Sequence, residues 1–112
     1  MVCGQRQQRP AQPPSIDWRT EVRGDDFEFN GYGGLDGGLY YPWDNDDQIA
    51  RKVLEIEHLD RYRAPLIAEL GGIQSDGQGS LLTTEQCLLN RNRNPHLGKD
   101  EVTRRLQDYL GA

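Results

Sequence analysis

The stretch Thr83-Thr84-Glu85-Gln86-Cys87-Leu88-Leu89-Asn90-Arg91-Asn92-Arg93-Asn94-Pro95 sets a thiol, amides and guanidinium groups side by side, and His96 follows at once. Cys87 is one of two cysteines in the chain and His96 one of two histidines. A thiolate beside a base is the usual nucleophile for acyl or amidine carbon. Cys87, however, runs into Leu88 and Leu89, and the Asn/Arg run separates it from His96. A buried structural cysteine, acting as a small hydrophobe, is therefore favoured. Asn90 to Asn94 carry bidentate patterns that match base edges, but two arginines make a poor phosphate track. The run is expected to be a loop whose side chains tie down neighbouring carbonyls.

Asp44, Asp46 and Asp47 lack the glycine and closing glutamate of a calcium loop, and acidic residues at a helix start are expected from the helix dipole alone. Gly31, Gly33, Gly34, Gly37 and Gly38 do not make a dinucleotide fingerprint, because a start at Gly31 places Asp36 at the sixth position. Glu69 stands out. It ends an apolar run just before Gly71 and Gly72, where a glycine-permitted turn can hold a carboxylate partly buried at a cleft. A strand-end carboxylate in water is the equal alternative on local grounds. His58 is placed near the carbonyls that end a helix.

The elements that must position these groups follow from periodicity. Asp26 to Phe29 alternates as a half-buried strand, and the glycine-rich segment from Asn30 to Asp47 reads as a long loop pinned by Tyr32, Tyr40, Tyr41 and Trp43. Asn45 with Gln48 predicts an N-cap opening a helix whose apolar stripe is Ile49, Val53 and Ile56, widened by Ala50 and Leu54. A strand is predicted over Ala64 to Leu70. A hairpin turning at Asp76 to Gly79 follows, then a helix through residues 99–110 with Val102, Leu106, Tyr109 and Leu110 inward and Gly111 as its C-terminal cap.

Composition bounds the class. The chain has 112 residues, 35% of them hydrophobic, and a mean hydropathy of -0.84, enough for one domain with a lean core. A net charge of -5 argues against nucleic acid as a partner. Cys3 and Cys87 make no dense disulfide framework, so a reducing, cytoplasmic setting is expected. No apolar leader or membrane-length window is visible. Met1 to Pro14, rich in Gln, Arg and Pro, is expected to be a tail with little to bury.

Taken together, residues 21–35, 39–57, 60–72 and 76–97 resemble agmatine deiminases in order and spacing across almost everything from Glu21 to Ala112. The resemblance implies an α/β fold, part of a five-bladed α/β propeller of the pentein type, with about one ββαβ-like module here. It divides the chain into a tail, 1–20, and a partial deiminase domain, 21–112. It also implies hydrolysis of agmatine to N-carbamoylputrescine and ammonia, a step toward putrescine, with agmatine or a related guanidine as substrate, no metal or organic cofactor, no membrane partner, and a homo-oligomer among the expectations. Glu69 matches the family's acidic residue next to the proton-shuttling histidine. Leu70 departs from the usual Glu-Gly-Gly-Ser, and Gln74 and Ser75 from the usual His-Val. The family's Trp-x-Arg-Asp, Gly-His-x-Asp and terminal cysteine segments have no match, so Cys87 is read as scaffold and the chain alone as inactive. A non-catalytic binding or assembly module derived from the same fold is the alternative expectation.

Overall fold

The computed structural model describes residues 2–6, 22–69 and 71–111. Its elements in chain order are β1 (Val2–Arg6), β2 (Val22–Glu28), α1 (Asp44–Asp47), α2 (Ile49–Ile56), β3 (Asp60–Ile67), β4 (Ile73–Ser75), β5 (Leu81–Thr83), α3 (Glu85–Leu89) and α4 (Lys99–Leu110). β2 is the middle of a three-stranded sheet, antiparallel to β1 and parallel to β3, while β4 and β5 form a separate hairpin. No described helix is long and apolar enough to cross a membrane.

The two faces of the sheet are filled differently. On one, Phe27, Ala64, Leu66 and Ala68 pack with Leu88, Val102 and Leu106 as the apolar core, and Tyr109 meets the Phe27 ring edge-on at 6.0 Å. On the other, α2 lies against β2. A Cβ on Gly24 would stand 2.0 Å from Leu54 Cδ2, so the missing side chain is what lets the helix approach. That closeness turns Ala50 and Leu54 to the sheet and leaves Ile49, Val53 and Ile56 out, Ile56 being 73% exposed. The predicted inward stripe thus corrects to its own flank.

Charge fills the rest of the α2 face. Asp26, fully buried, accepts from Arg61 Nε at 2.6 Å and Arg63 Nη1 at 2.8 Å. Arg63 Nη2 reaches on to Asp47, at 2.9 Å from Oδ2, and Asp47 Oδ1 accepts the Phe29 N–H at 2.8 Å. Burial opposes the charge of Arg63, but the hydrogen bond to Asp47 and the charges of Asp26 and Asp47 outweigh it and raise its pKa. β3 therefore starts at Asp60, ahead of the predicted Ala64, because its charged first half has buried partners. Pro65 lacks an N–H, and the ladder shifts there, from Phe27 opposite Ala64 to Glu28 opposite Ile67.

Two further expectations change. Asn45 lies inside α1, which starts after Trp43, and Gln48 separates α1 from α2. Asp47 is drawn to Arg63 and Phe29, which fixes α1 as a turn of its own. Residues 2–6, expected in a tail, pair with β2 through their main chain, which requires no apolar side chain. The boundary expected at residue 20 falls outside the described residues.

Gly24→Ala is expected to destabilise the chain by about 1–3 kcal/mol through overpacking, in urea unfolding. In a Leu54→Ala background the same change should cost much less, since the obstructing methyls are gone. A second prediction concerns Asp25, 2% exposed on the core face, whose Oδ2 has no hydrogen-bond partner among the described residues. Burial pushes its pKa up from 3.8 to about 6. The folded state therefore favours the protonated form: the penalty is absent below the unfolded pKa and complete above the folded one. Stability should fall by up to ~3 kcal/mol as pH rises from about 4 to about 7, and Asp25→Asn should remove that slope. Glu101, held down to about 2 by Arg104 and Arg105, titrates below this window.

Candidate functional site

Parallel β2 and β3 end at the same edge of the sheet, the edge where open α/β sheets place ligands. β2 leads there into the glycine-rich loop and β3 into Glu69. The Thr83–Pro95 stretch closes over both.

Glu69 is buried, with its side chain 5% exposed. Its carbonyl accepts the Gly72 N–H at 3.0 Å, closing a turn in which Gly71 has φ 91°, a value that suits glycine. Arg93 Nε stands 2.7 Å from Glu69 Oε1, with the arginine side chain 11% exposed. This is an ion pair at contact distance whose N–H is not aligned as a hydrogen bond, and neither atom has another hydrogen-bond partner among the described residues. Glu69 is thus a buried, paired carboxylate rather than a strand end in water.

Several residues of the stretch have a structural task. Thr83 Oγ1 donates to the Gly72 carbonyl at 2.6 Å, anchoring the turn after Glu69. Thr84 caps α3 by accepting the Cys87 N–H at 3.2 Å. Cys87 is a free thiol, half-buried rather than fully buried, and its Cβ lies 3.2 Å from where a Gly72 Cβ would be. Among the described residues no hydrogen bond joins it to His96, which is exposed. Asn94 is 1% exposed and acts as a three-way clamp: Oδ1 accepts the Ile67 N–H, and Nδ2 donates to the Ile67 and Leu88 carbonyls, all at 2.9 Å. The expected tying of carbonyls by the Asn/Arg run is what the structure shows.

The same run holds the glycine-rich loop. Asn30 Nδ2 donates to the Asn92 carbonyl at 2.9 Å, Asn92 Nδ2 to the Asp36 carbonyl at 3.0 Å, and Arg91 Nε pairs with Asp36 at 2.7 Å. Gly33, with φ 142°, passes so close that a Cβ would lie 2.8 Å from Asn92 Nδ2 and 3.0 Å from Arg93 Nη1. The loop is therefore held mainly by polar contacts. Its aromatics pack among themselves and against Phe29, leaving Tyr41 exposed. Asp46 accepts the Tyr40 hydroxyl at 2.7 Å, and Asp47 is engaged by Arg63 and Phe29. His58 sits exposed at the end of α2 with φ 54°, its N–H on the Glu55 carbonyl. The pairing of Arg93 with Glu69 had no sequence signal, since Arg91 and Arg93 look alike in the run.

Known proteins give this geometry a context. The sequence profile of the Porphyromonas-type peptidyl-arginine deiminase family matches residues 11–112. An agmatine deiminase of Pseudomonas aeruginosa (strain LESB58) is 57% identical over 98 residues, covering 87% of this chain and 27% of the relative. An agmatine deiminase of Ectopseudomonas mendocina is 56% identical over 96 residues, 85% of this chain and 26% of the relative. The solved agmatine deiminase of Enterococcus faecalis superimposes with a TM-score of 0.79 at 52% identity, covering 82% of this chain and 26% of that one. The chain thus spans about a quarter of the length of the relatives it matches. Its α/β fold is a part of the pentein-type α/β propeller of these deiminases.

Asn94→Ala would leave three backbone groups without partners, and at about 1–3 kcal/mol each the loss should reach at least ~3 kcal/mol in urea unfolding. Asn94→Asp should not rescue it, since an oxygen would then face two carbonyls. Arg91→Ala, removing an exposed pair, should change stability by less than ~1 kcal/mol.

Proposed function

The chain belongs to the Porphyromonas-type peptidyl-arginine deiminase family, and on that basis we propose that it forms part of an agmatine deiminase-type hydrolase, converting agmatine and water to N-carbamoylputrescine and ammonia. The observation that carries this reading is Glu69, a carboxylate buried at the carboxyl edge of parallel strands and framed by a stretch that resembles the agmatine deiminases. Such chemistry requires carboxylates to grip a planar guanidinium, a thiolate to attack its central carbon, and a histidine to move protons as ammonia leaves and water enters. In this reading Glu69 holds the orientation and charge of that histidine, which residues outside this segment supply together with the nucleophile. Cys87 does not serve as nucleophile: it packs against Gly72, with His96 away at the surface. No step calls for a metal or organic cofactor. A cytoplasmic location belongs to the same proposal, supported by the free thiol of Cys87.

Two measurements test it. The purified 112-residue chain should release no ammonia or N-carbamoylputrescine from agmatine. Product that forms, and disappears with Cys87→Ser, would overturn the scaffold role of Cys87. In the catalytically complete protein carrying this segment, Glu69→Gln should lower turnover about a hundredfold to ten-thousandfold. Glu85→Gln, which alters an exposed pair with Lys99, should leave turnover unchanged. Near-normal turnover with Glu69→Gln would sink the assignment of Glu69.

A further inference from the structure

The buried charge on Glu69 has one cationic neighbour among the described residues, and that neighbour is tied to the glycine-rich loop. Arg93 contacts Oε1 through Nε at 2.7 Å, while its Nη1 donates to Asn92 Oδ1 at 3.1 Å. Asn92 in turn donates from Nδ2 to the Asp36 carbonyl at 3.0 Å. A continuous line therefore runs from the loop, through Asn92 and Arg93, to the carboxylate. We infer that Arg93 is a positioning residue that pairs with Glu69 and keeps its carboxylate aimed, and that the glycine-rich loop sets its placement through Asn92. The inference rests on the proposed catalytic reading of Glu69.

Three physical points support it. A buried carboxylate loses its hydration, and a cation or donors must replace the water it gives up. A guanidinium stays charged at any working pH and is more weakly hydrated than an ammonium, so it is the cation suited to this depth. The contact is also one-sided. Arg93 engages Oε1 alone, through Nε, and this contact leaves Oε2 for the group that Glu69 serves.

Charge separates this role from substrate binding. Agmatine is a cation, and a second cation beside its site repels it, so Arg93 does not add to substrate affinity. Loss of Arg93 should then lower turnover without raising KM, the reverse of what loss of a binding contact produces.

The test is steady-state kinetics with agmatine on the catalytically complete protein carrying this segment, with each variant's fold checked by circular dichroism and thermal melting. Arg93→Met should reduce kcat at least about tenfold while KM stays within about threefold of normal or falls. Arg93→Lys, which restores the charge without the planar fork, should recover part of kcat. Should Arg93→Met fail to fold, Asn92→Ala decides: it cuts the tether without altering a charge and should lower kcat by about threefold to tenfold at unchanged KM. Normal kcat in the folded Arg93→Met variant, no recovery with Lys, a rise in KM with kcat preserved, or normal kinetics in Asn92→Ala where that variant decides, would each overturn the inference. Glu69→Gln run in parallel separates the two failures. If it retains turnover, the catalytic reading itself is wrong; if it is inactive while Arg93→Met is normal, only the positioning role falls.

Discussion

The carboxamide of Asn94 is the joint on which the arrangement turns. It presents a donor and an acceptor to Ile67 as a neighbouring strand would, and spends a second donor on Leu88. β3 ends at Ile67 and α3 at Leu89, so one buried side chain closes the end of a strand and the end of a helix together. No other residue type fits, because the three contacts require one acceptor and two donors on a short planar group. With Asn94 fixed, the residue before it, Arg93, is held against the segment that continues β3, and that segment carries Glu69. The ion pair follows from the clamp.

A core this lean uses charge as filling, and it does so under a constraint. Asp26 is compensated twice, by Arg61 and Arg63, and Arg63 is shared with Asp47. Glu69 is compensated once, by Arg93. Asp25 has no such partner among the described residues, and its proton affinity rises accordingly. A buried charge requires cations and donors to replace its water. Burial of an ion pair is a weak source of stability, so the doubly paired Asp26 is better understood as fixing register between β2 and β3 and anchoring α1 than as strengthening the fold.

What could be read from the sequence divides along the same physical line. The hairpin around Asp76 to Gly79, helix α4 with Val102 and Leu106 inward, and the left-handed cap at Gly111 were legible because local turn chemistry and a 3.6-residue period determine them. The face of α2 was not. Ile49, Val53 and Ile56 make a better stripe by type, but the gap at Gly24 selects Ala50 and Leu54, and that gap belongs to another strand. Nor was the first half of β3 legible, since Arg61 and Arg63 read as surface until Asp26 is seen beside them. The strand at Val2–Arg6 contributes main chain to the edge of β2, and composition carries no record of that. For the site, Glu69 was visible through the turn glycines that follow it, whereas its partner was not.

Arg91 and Arg93 show why. They are two residues apart between asparagines, identical by type and by local context, yet one is buried against a carboxylate and the other pairs with Asp36 at the surface, 81% exposed. The difference arises from the turn between them. The Arg93 N–H bonds to the Asn90 carbonyl and the Asn92 N–H to Asn90 Oδ1, so the chain reverses here and the two side chains meet different surroundings. The outer arginine is screened by water and contributes little. The inner one faces a low-dielectric interior where the same charge matters far more. A tight turn thus converts a repetitive run of residues into an inner and an outer half, and the inner half alone is coupled to Glu69.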